Sequence, residues 1–207
     1  MVHPDFDYDE IADQFFYPVY DVIADDILES TNVKEGNFLD VGSGGGHLGF
    51  SLIKKTGMNA AFADLNPAAI EIAQLRAEEL GVRSRCSFCV ADVETLPFED
   101  NSFDLIISRG SIPFWKNQEK ALLELFRVLA KGGKTYIGCG LGNMQLQQEI
   151  QEKMHENGMK CFFEDKDKKK ESFMLSTAEY AEMLSKWDCK FRIIEDDNKG
   201  TWLLIEK

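Results

Sequence analysis

Residues 38–50, FLDVGSGGGHLGF, place glycines at 42, 44, 45, 46 and 49 directly behind a short apolar run and ahead of an apolar helical stripe. No other stretch of the chain restricts the fold as tightly. Glycine removes the steric bar to left-handed backbone and lets peptide N–H groups stand against a ligand, while the helix that follows offers a positive terminus. A strand that ends in such a loop and re-enters as a helix opens an α/β sheet, in which ligands collect outside the carboxyl ends of the strands.

The rest of the chain repeats that alternation. Apolar runs and period-two patterns predict strands near 37–42, 59–64, 87–91, 103–108 and 134–139, with helical periodicity between them. The first helix, 46–56, carries Leu48, Leu52 and Ile53 on one stripe and is expected to stop at a left-handed Gly57. The second starts at Asn66 as N-cap with Pro67 behind it, turns Ile70, Ala73 and Ala77 inward and stops at Gly81. The third, from about Asn117 to Ala130, buries Ala121, Leu122, Leu125, Phe126 and Leu129 and stops at Gly132 and Gly133. Strands alternating with helices of this length imply right-handed crossovers and a mainly parallel, doubly wound, Rossmann-like α/β sheet. Helix 176–187 and strands 190–195 and 201–206 follow, the two strands joined by a short Asp/Asn/Gly loop, so the last strand is expected to be antiparallel.

With 207 residues, 44% of them hydrophobic, the chain fits one domain over 1–207. Its parts read as an N-terminal helical lid or cap over 1–35, a ligand-binding core over 36–143, a helical insertion over 144–175 and a C-terminal helix and hairpin over 176–207. The leader holds Phe6, Tyr8, Phe15, Phe16, Tyr17 and Tyr20; it reads both as a helix, capped near Pro18 and packed through Tyr20, Ile23, Ala24 and Ile27, and as a lid over a pocket. The insertion helix has a thin stripe of Leu146, Ile150 and Met154 and is expected to be a surface helix or a cap, outside the core. The mixed-charge run Lys166–Lys170 reads as a solvated loop.

A formal net charge of −13 disfavours a nucleic-acid partner, because Lys and Arg neutralisation of phosphates supplies most of that affinity. The same charge favours a small molecule. No run of about eighteen apolar residues occurs, and the opening MVHPDFDYDE is acidic, so a cytoplasmic chain without a membrane partner is expected, as monomer or homodimer. Five scattered cysteines, an odd number, fit a reducing compartment. Cys86 and Cys89 stand three apart on a strand and therefore face opposite ways, so no metal site is expected of them.

The glycine stretch has two registers. Gly44-x-Gly46-x-x-Gly49 satisfies the dinucleotide fingerprint of a nicotinamide or flavin enzyme, whereas Asp40-x-Gly42-x-Gly44-x-Gly46 has the spacing of S-adenosylmethionine binders. Asp64, at the second strand end, is placed for two ribose hydroxyls under either reading. The third strand end separates them: Asp92 can accept from the exocyclic amine of adenine while the Val93 amide meets a ring nitrogen.

With Asp40, the glycines, Asp64, Asp92, the connection LPFEDNSFDLI and the segment LFRVLAKGGKTYIG in order, residues 36 to about 143 resemble the class I S-adenosylmethionine-dependent methyltransferases. Within them the chain is similar to the small-molecule branch typified by the quinone-biosynthesis methyltransferases. The resemblance implies a seven-stranded sheet with an antiparallel last strand, S-adenosylmethionine as cofactor with S-adenosylhomocysteine as product, and a small-molecule methyl acceptor. It implies that Asp40, Gly42, Ser43, Gly44 and Gly46 hold the methionine moiety, that Asp64 takes the ribose, and that Leu65 packs on the adenine. Asp92 and Val93 would read the adenine edge, and Ser108, Arg109 and Gly110 would line the path from sulfonium to acceptor. Methyl transfer from a sulfonium is an in-line displacement that an enzyme serves mainly by orientation and desolvation, so no catalytic residue is defined by the pattern. His47, Arg109 and Tyr17 are the candidates for contact with substrate. A nicotinamide oxidoreductase and a non-catalytic S-adenosylmethionine-binding protein are the alternatives.

Overall fold

A computed structural model describes residues 11–159 and 174–207. The chain enters through one π-helical turn, Ala12–Phe16, that runs into α1 (Tyr17–Thr31), with Pro18 in its first turn, where a missing N–H costs nothing. There follow β1 (Asn37–Val41), α2 (His47–Lys55), β2 (Asn59–Asp64), α3 (Pro67–Glu79), β3 (Cys86–Val90), β4 (Phe103–Arg109), α4 (Gln118–Val128), β5 (Leu129–Cys139), α5 (Met144–Glu156), α6 (Thr177–Leu184), β6 (Lys190–Asp196) and β7 (Gly200–Glu206). The strands form one sheet in the order β3-β2-β1-β4-β5-β7-β6; β7 runs antiparallel to both its neighbours and all other pairings are parallel.

Period-two alternation sorts the core into two layers. Phe38, Phe62, Leu105, Ile107 and Tyr136 face α1, α2, α3 and α5, whereas Leu39, Ala61, Ala63, Ile106 and Ile137 face α4 and α6. Cys86 joins the first layer and Cys89 packs on the second, as their spacing requires. α3 has the start and stop its sequence encodes: the Asn66 side chain accepts from the Ala68 N–H at 3.1 Å, and Gly81 is left-handed with φ +68°.

Two expectations are corrected. Gly57 is not a left-handed cap: α2 stops at Lys55, and its last carbonyls are met by the Thr56 hydroxyl, which donates to Leu52, and by the Arg85 guanidinium, which donates to Ile53. Gly132 and Gly133 do not end a helix: α4 stops at Val128, β5 begins at Leu129, and Gly132 (φ +77°) sits where the register against β4 shifts. Lys207 supplies the missing cap, its Nζ donating to the carbonyls of Phe126, Arg127 and Leu129. α5 lies mostly exposed, as its thin stripe implies, and caps the first core layer through Ile150 and Met154, 2% and 1% exposed beside Phe15. Phe6, Tyr8, Cys161 and the Lys166–Lys170 run lie outside the described residues. Among the described residues no helix is long and apolar enough to cross a membrane.

Candidate active site

The parallel strands β3, β2, β1 and β4 end side by side, and the strand order reverses between β1 and β4, where doubly wound sheets open a crevice. The loop after β1 is left-handed at Gly42, Gly44 and Gly46, with φ +63°, +53° and +83°. It is tied to the end of β2, because Gly42 and Ser43 both donate to the Ala63 carbonyl, at 2.8 and 3.2 Å. A Cβ on Gly42 would stand 2.4 Å from the Cβ of Ser111, so the loops after β1 and β4 are in contact at the floor of the crevice. The hydroxyls of Ser108 and Ser111 lie 2.5 Å apart and Trp115 donates to Ser111 at 3.1 Å, which fixes that floor. By contrast, among the described residues nothing stands within 4 Å of where a Gly44 Cβ would be, so they leave this side of the loop open.

Asp40 lies beneath the loop, 2% exposed, and its Oδ2 accepts from the Gly49 N–H at 3.0 Å. It thereby caps the first turn of α2 across space, a role that Gly46, at the N-cap position, has no side chain to fill. A Cβ on Gly49 would meet both the Phe62 ring and the Asp40 carboxylate, which makes Gly49 the contact glycine between α2 and the sheet. Burial pushes the Asp40 carboxyl up to about 8; the Gly49 hydrogen bond opposes that shift and the charge of Asp64 adds to it. A cationic group above Asp40 would reverse the penalty.

Asp64 closes β2 with both oxygens engaged: Oδ2 accepts from the Gly44 N–H at 2.8 Å and Oδ1 from the Asn66 N–H at 2.9 Å. Leu65, next to it, is 63% exposed at the rim. Asp92 stands two residues past the end of β3 in a turn in which its Oδ1 accepts from the Glu94 N–H at 3.0 Å. The Val93 side chain is buried in the second core layer. Ser108 and Arg109 lie within β4, and Ser108 is fully buried, so its hydroxyl serves Ser111 below the crevice.

The three substrate-contact candidates part company. His47 is the first residue of α2; its Nε2 lies 2.8 Å from Asp13 Oδ1, and its ring stacks on Tyr20 at a centroid distance of 5.0 Å. Arg109 lies over the rings of Phe16 and Tyr20, 5.1 Å from each centroid, with Nε donating to the Gly140 carbonyl at 3.0 Å. Tyr17 is 53% exposed and beside Lys54 near the far end of α2, away from the other two. Tyr20, one turn further on, and not Tyr17, lies between His47 and Arg109. Sequence reasoning also missed Asp13 and Arg76. Arg76 reaches from α3 to Asp13, at 3.0 Å, and donates to the Gly45 carbonyl of the glycine loop. The stripe Tyr20, Ile23, Ala24 and Ile27 was the sequence signal that α1 turns Tyr20 inward, and all four are buried.

A left-handed glycine cradle at the switch point of a doubly wound sheet, with an acid at each of three neighbouring strand ends, defines the α/β class whose crevice takes nucleoside-type cofactors. Residues 32–182 match the family model described as a methyltransferase domain, and the chain belongs to that family, the S-adenosylmethionine-dependent methyltransferases. A crystal structure from Methanococcus maripaludis, provisionally classed as an S-adenosyl-L-methionine-dependent methyltransferase, superposes with a TM-score of 0.86 at 30% identity, covering 100% of this chain and 97% of that one. Ajmaline N-methyltransferase of Rauvolfia serpentina is 35% identical over 104 residues, which is 50% of this chain and 36% of that protein. The ubiquinone/menaquinone biosynthesis C-methyltransferase of Pseudomonas savastanoi pv. phaseolicola is 35% identical over 114 residues, 53% of this chain and 44% of that protein. The chain thus spans less than half the length of these two curated relatives.

Proposed function

We propose that this protein is a cytoplasmic enzyme that transfers a methyl group from S-adenosylmethionine to a small-molecule acceptor. The observation that carries the reading is the row Asp40, Asp64 and Asp92 at the ends of β1, β2 and β3, with the open face of Gly44 beside it. The donor set fits the cofactor. Asp40 offers a buried carboxyl whose ionisation a cationic ammonium would restore, and the loop Gly42–Gly46 offers backbone approach. Asp64 and Leu65 would hold the ribose and one adenine face, and Asp92 and the Val93 amide the adenine edge.

S-adenosylmethionine supplies a methyl group already activated on a sulfonium. The protein's own contribution is alignment and exclusion of water. Ser108 and Ser111 fix the floor of the crevice, and residues 11–31 serve as a lid. Asp13 fastens that lid to His47 and Arg76, and Tyr20 closes it over His47. Calorimetry with S-adenosylhomocysteine and with NADH tests the cofactor: micromolar or tighter S-adenosylhomocysteine binding is expected, and tight NADH binding without it overturns the reading. Transfer of labelled methyl groups to a metabolite panel tests catalysis, and cofactor binding with no transfer to any acceptor would favour a non-catalytic binding protein.

A further inference from the structure

We propose that Arg109 is the recognition group for a carboxylate on the methyl acceptor, which makes the substrate a small carboxylic acid; this rests on the methyltransferase reading above. Asp40 pairs with Ile107 across β1 and β4, and Arg109 is the next residue of β4 on the same face, about 7 Å further toward the crevice at the usual strand rise. It therefore stands beyond the cofactor's tail site on the acceptor side of the switch point. The guanidinium is held in place without being neutralised. Two aromatic rings carry it, the Gly140 carbonyl takes Nε, and among the described residues no carboxylate pairs with it, in a chain with 36 acidic side chains against 23 basic ones.

Three other arginines spend their forks. Arg127 donates to Glu124, Asp100 and two carbonyls, Arg76 holds Asp13, and Arg85 gives Nη1 and Nη2 to carbonyls at the end of α2. Among the described residues Arg109 makes no hydrogen bond through Nη2, and Nη1 has only the Tyr20 hydroxyl, at 3.4 Å. The Nη1–Nη2 edge is thus a rigid, half-buried fork with the donor geometry that a carboxylate accepts bidentately, in surroundings where the pairing is stronger than at an open surface.

The cofactor's methionine tail also carries a carboxylate, and the test separates the two sources. The full chain saturated with S-adenosylhomocysteine is titrated calorimetrically with matched acid and amide pairs: acetate and acetamide, phenylacetate and phenylacetamide, benzoate and benzamide. At least one acid is expected to bind tenfold or more tighter than its amide. Arg109→Gln should erase that preference, Arg109→Lys should retain part of it, and both should bind S-adenosylhomocysteine within about twofold of the parent, with unchanged circular dichroism as the control for folding. Equal binding of acid and amide across all three pairs overturns the assignment, as does a tenfold loss of S-adenosylhomocysteine affinity in Arg109→Gln, which would put the cofactor's own carboxylate on Arg109. Failure of the parent protein to bind S-adenosylhomocysteine at all strikes the methyltransferase reading instead.

Discussion

Replacing Asp40 by asparagine should make the protein more stable and a poorer binder at the same time. The carboxyl is 2% exposed and its midpoint is pushed up to about 8 from the ordinary aspartate value of 3.8, so the folded state holds a proton that the unfolded chain has released. The stabilising contribution of the neutral acid is complete below the unfolded value and is lost as pH rises toward the folded one. Over that window the parent loses stability at about 1.4 kcal/mol per pH unit. Between pH 5 and 8 this sums to roughly 4 kcal/mol as an upper bound, reduced to a few kcal/mol once relaxation and water entry are allowed for. Asparagine keeps an acceptor for the Gly49 N–H and does not titrate. Urea denaturation from pH 5 to 8.5 should therefore show Asp40→Asn gaining on the parent steadily up to about pH 8 and holding constant beyond it. S-adenosylhomocysteine affinity should move the other way. Its ammonium favours ionised Asp40, so parent affinity should climb with pH toward 8, whereas the variant should bind tenfold or more weakly at pH 8 with no such climb. A stability gap that does not change with pH would refute the buried-acid argument, and unchanged affinity would remove Asp40 from the tail site.

Three further tests address neighbouring parts of the crevice. Asp92→Ala removes a part-buried turn contact to Glu94 and should lower the melting temperature little while weakening S-adenosylhomocysteine tenfold or more; equal affinity by calorimetry rejects its role at the adenine edge. Gly42→Ala and Gly44→Ala should separate stability from binding. The first forces a Cβ against Ser111 in left-handed backbone and should cost about 2–4 kcal/mol in denaturation, while the second meets open space, should cost about 1–2 kcal/mol and should obstruct the cofactor. Asp13→Asn breaks contacts with His47 and Arg76, but Asp13 is 51% exposed, so less than about 1 kcal/mol of stability is at stake. Stopped-flow release of S-adenosylhomocysteine should nonetheless quicken several-fold, and an unaltered off-rate would reject the lid.

Much of the fold was legible because its signals are local. The strand alternation, the Asn66 cap, the Gly81 stop and the inward stripe Ile70, Ala73 and Ala77 each depend on residues within a few positions of one another, and the structure has all of them. The acids at the ends of β1, β2 and β3 were legible for a related reason: in a parallel sheet every strand end reaches one edge, so three separate sequence positions become neighbours by topology alone. Helix endings were read wrongly where the cap comes from afar. Arg85 serves α2 and Lys207 serves α4, and no nearby glycine betrays either arrangement.

What the sequence by itself determined was the class of sheet, its order of elements and the cradle after β1, because backbone conformation and amphipathic period are properties of short segments. Only the tertiary structure decided which side chains stand around that cradle. Tyr20 rather than Tyr17 meets His47 and Arg109, Asp13 joins Arg76 across 63 positions of chain, and Arg109 keeps its fork unspent between aromatic rings. Those pairings depend on how α1 docks on the sheet, and docking is set by the packing of whole faces, which no local pattern of residues records.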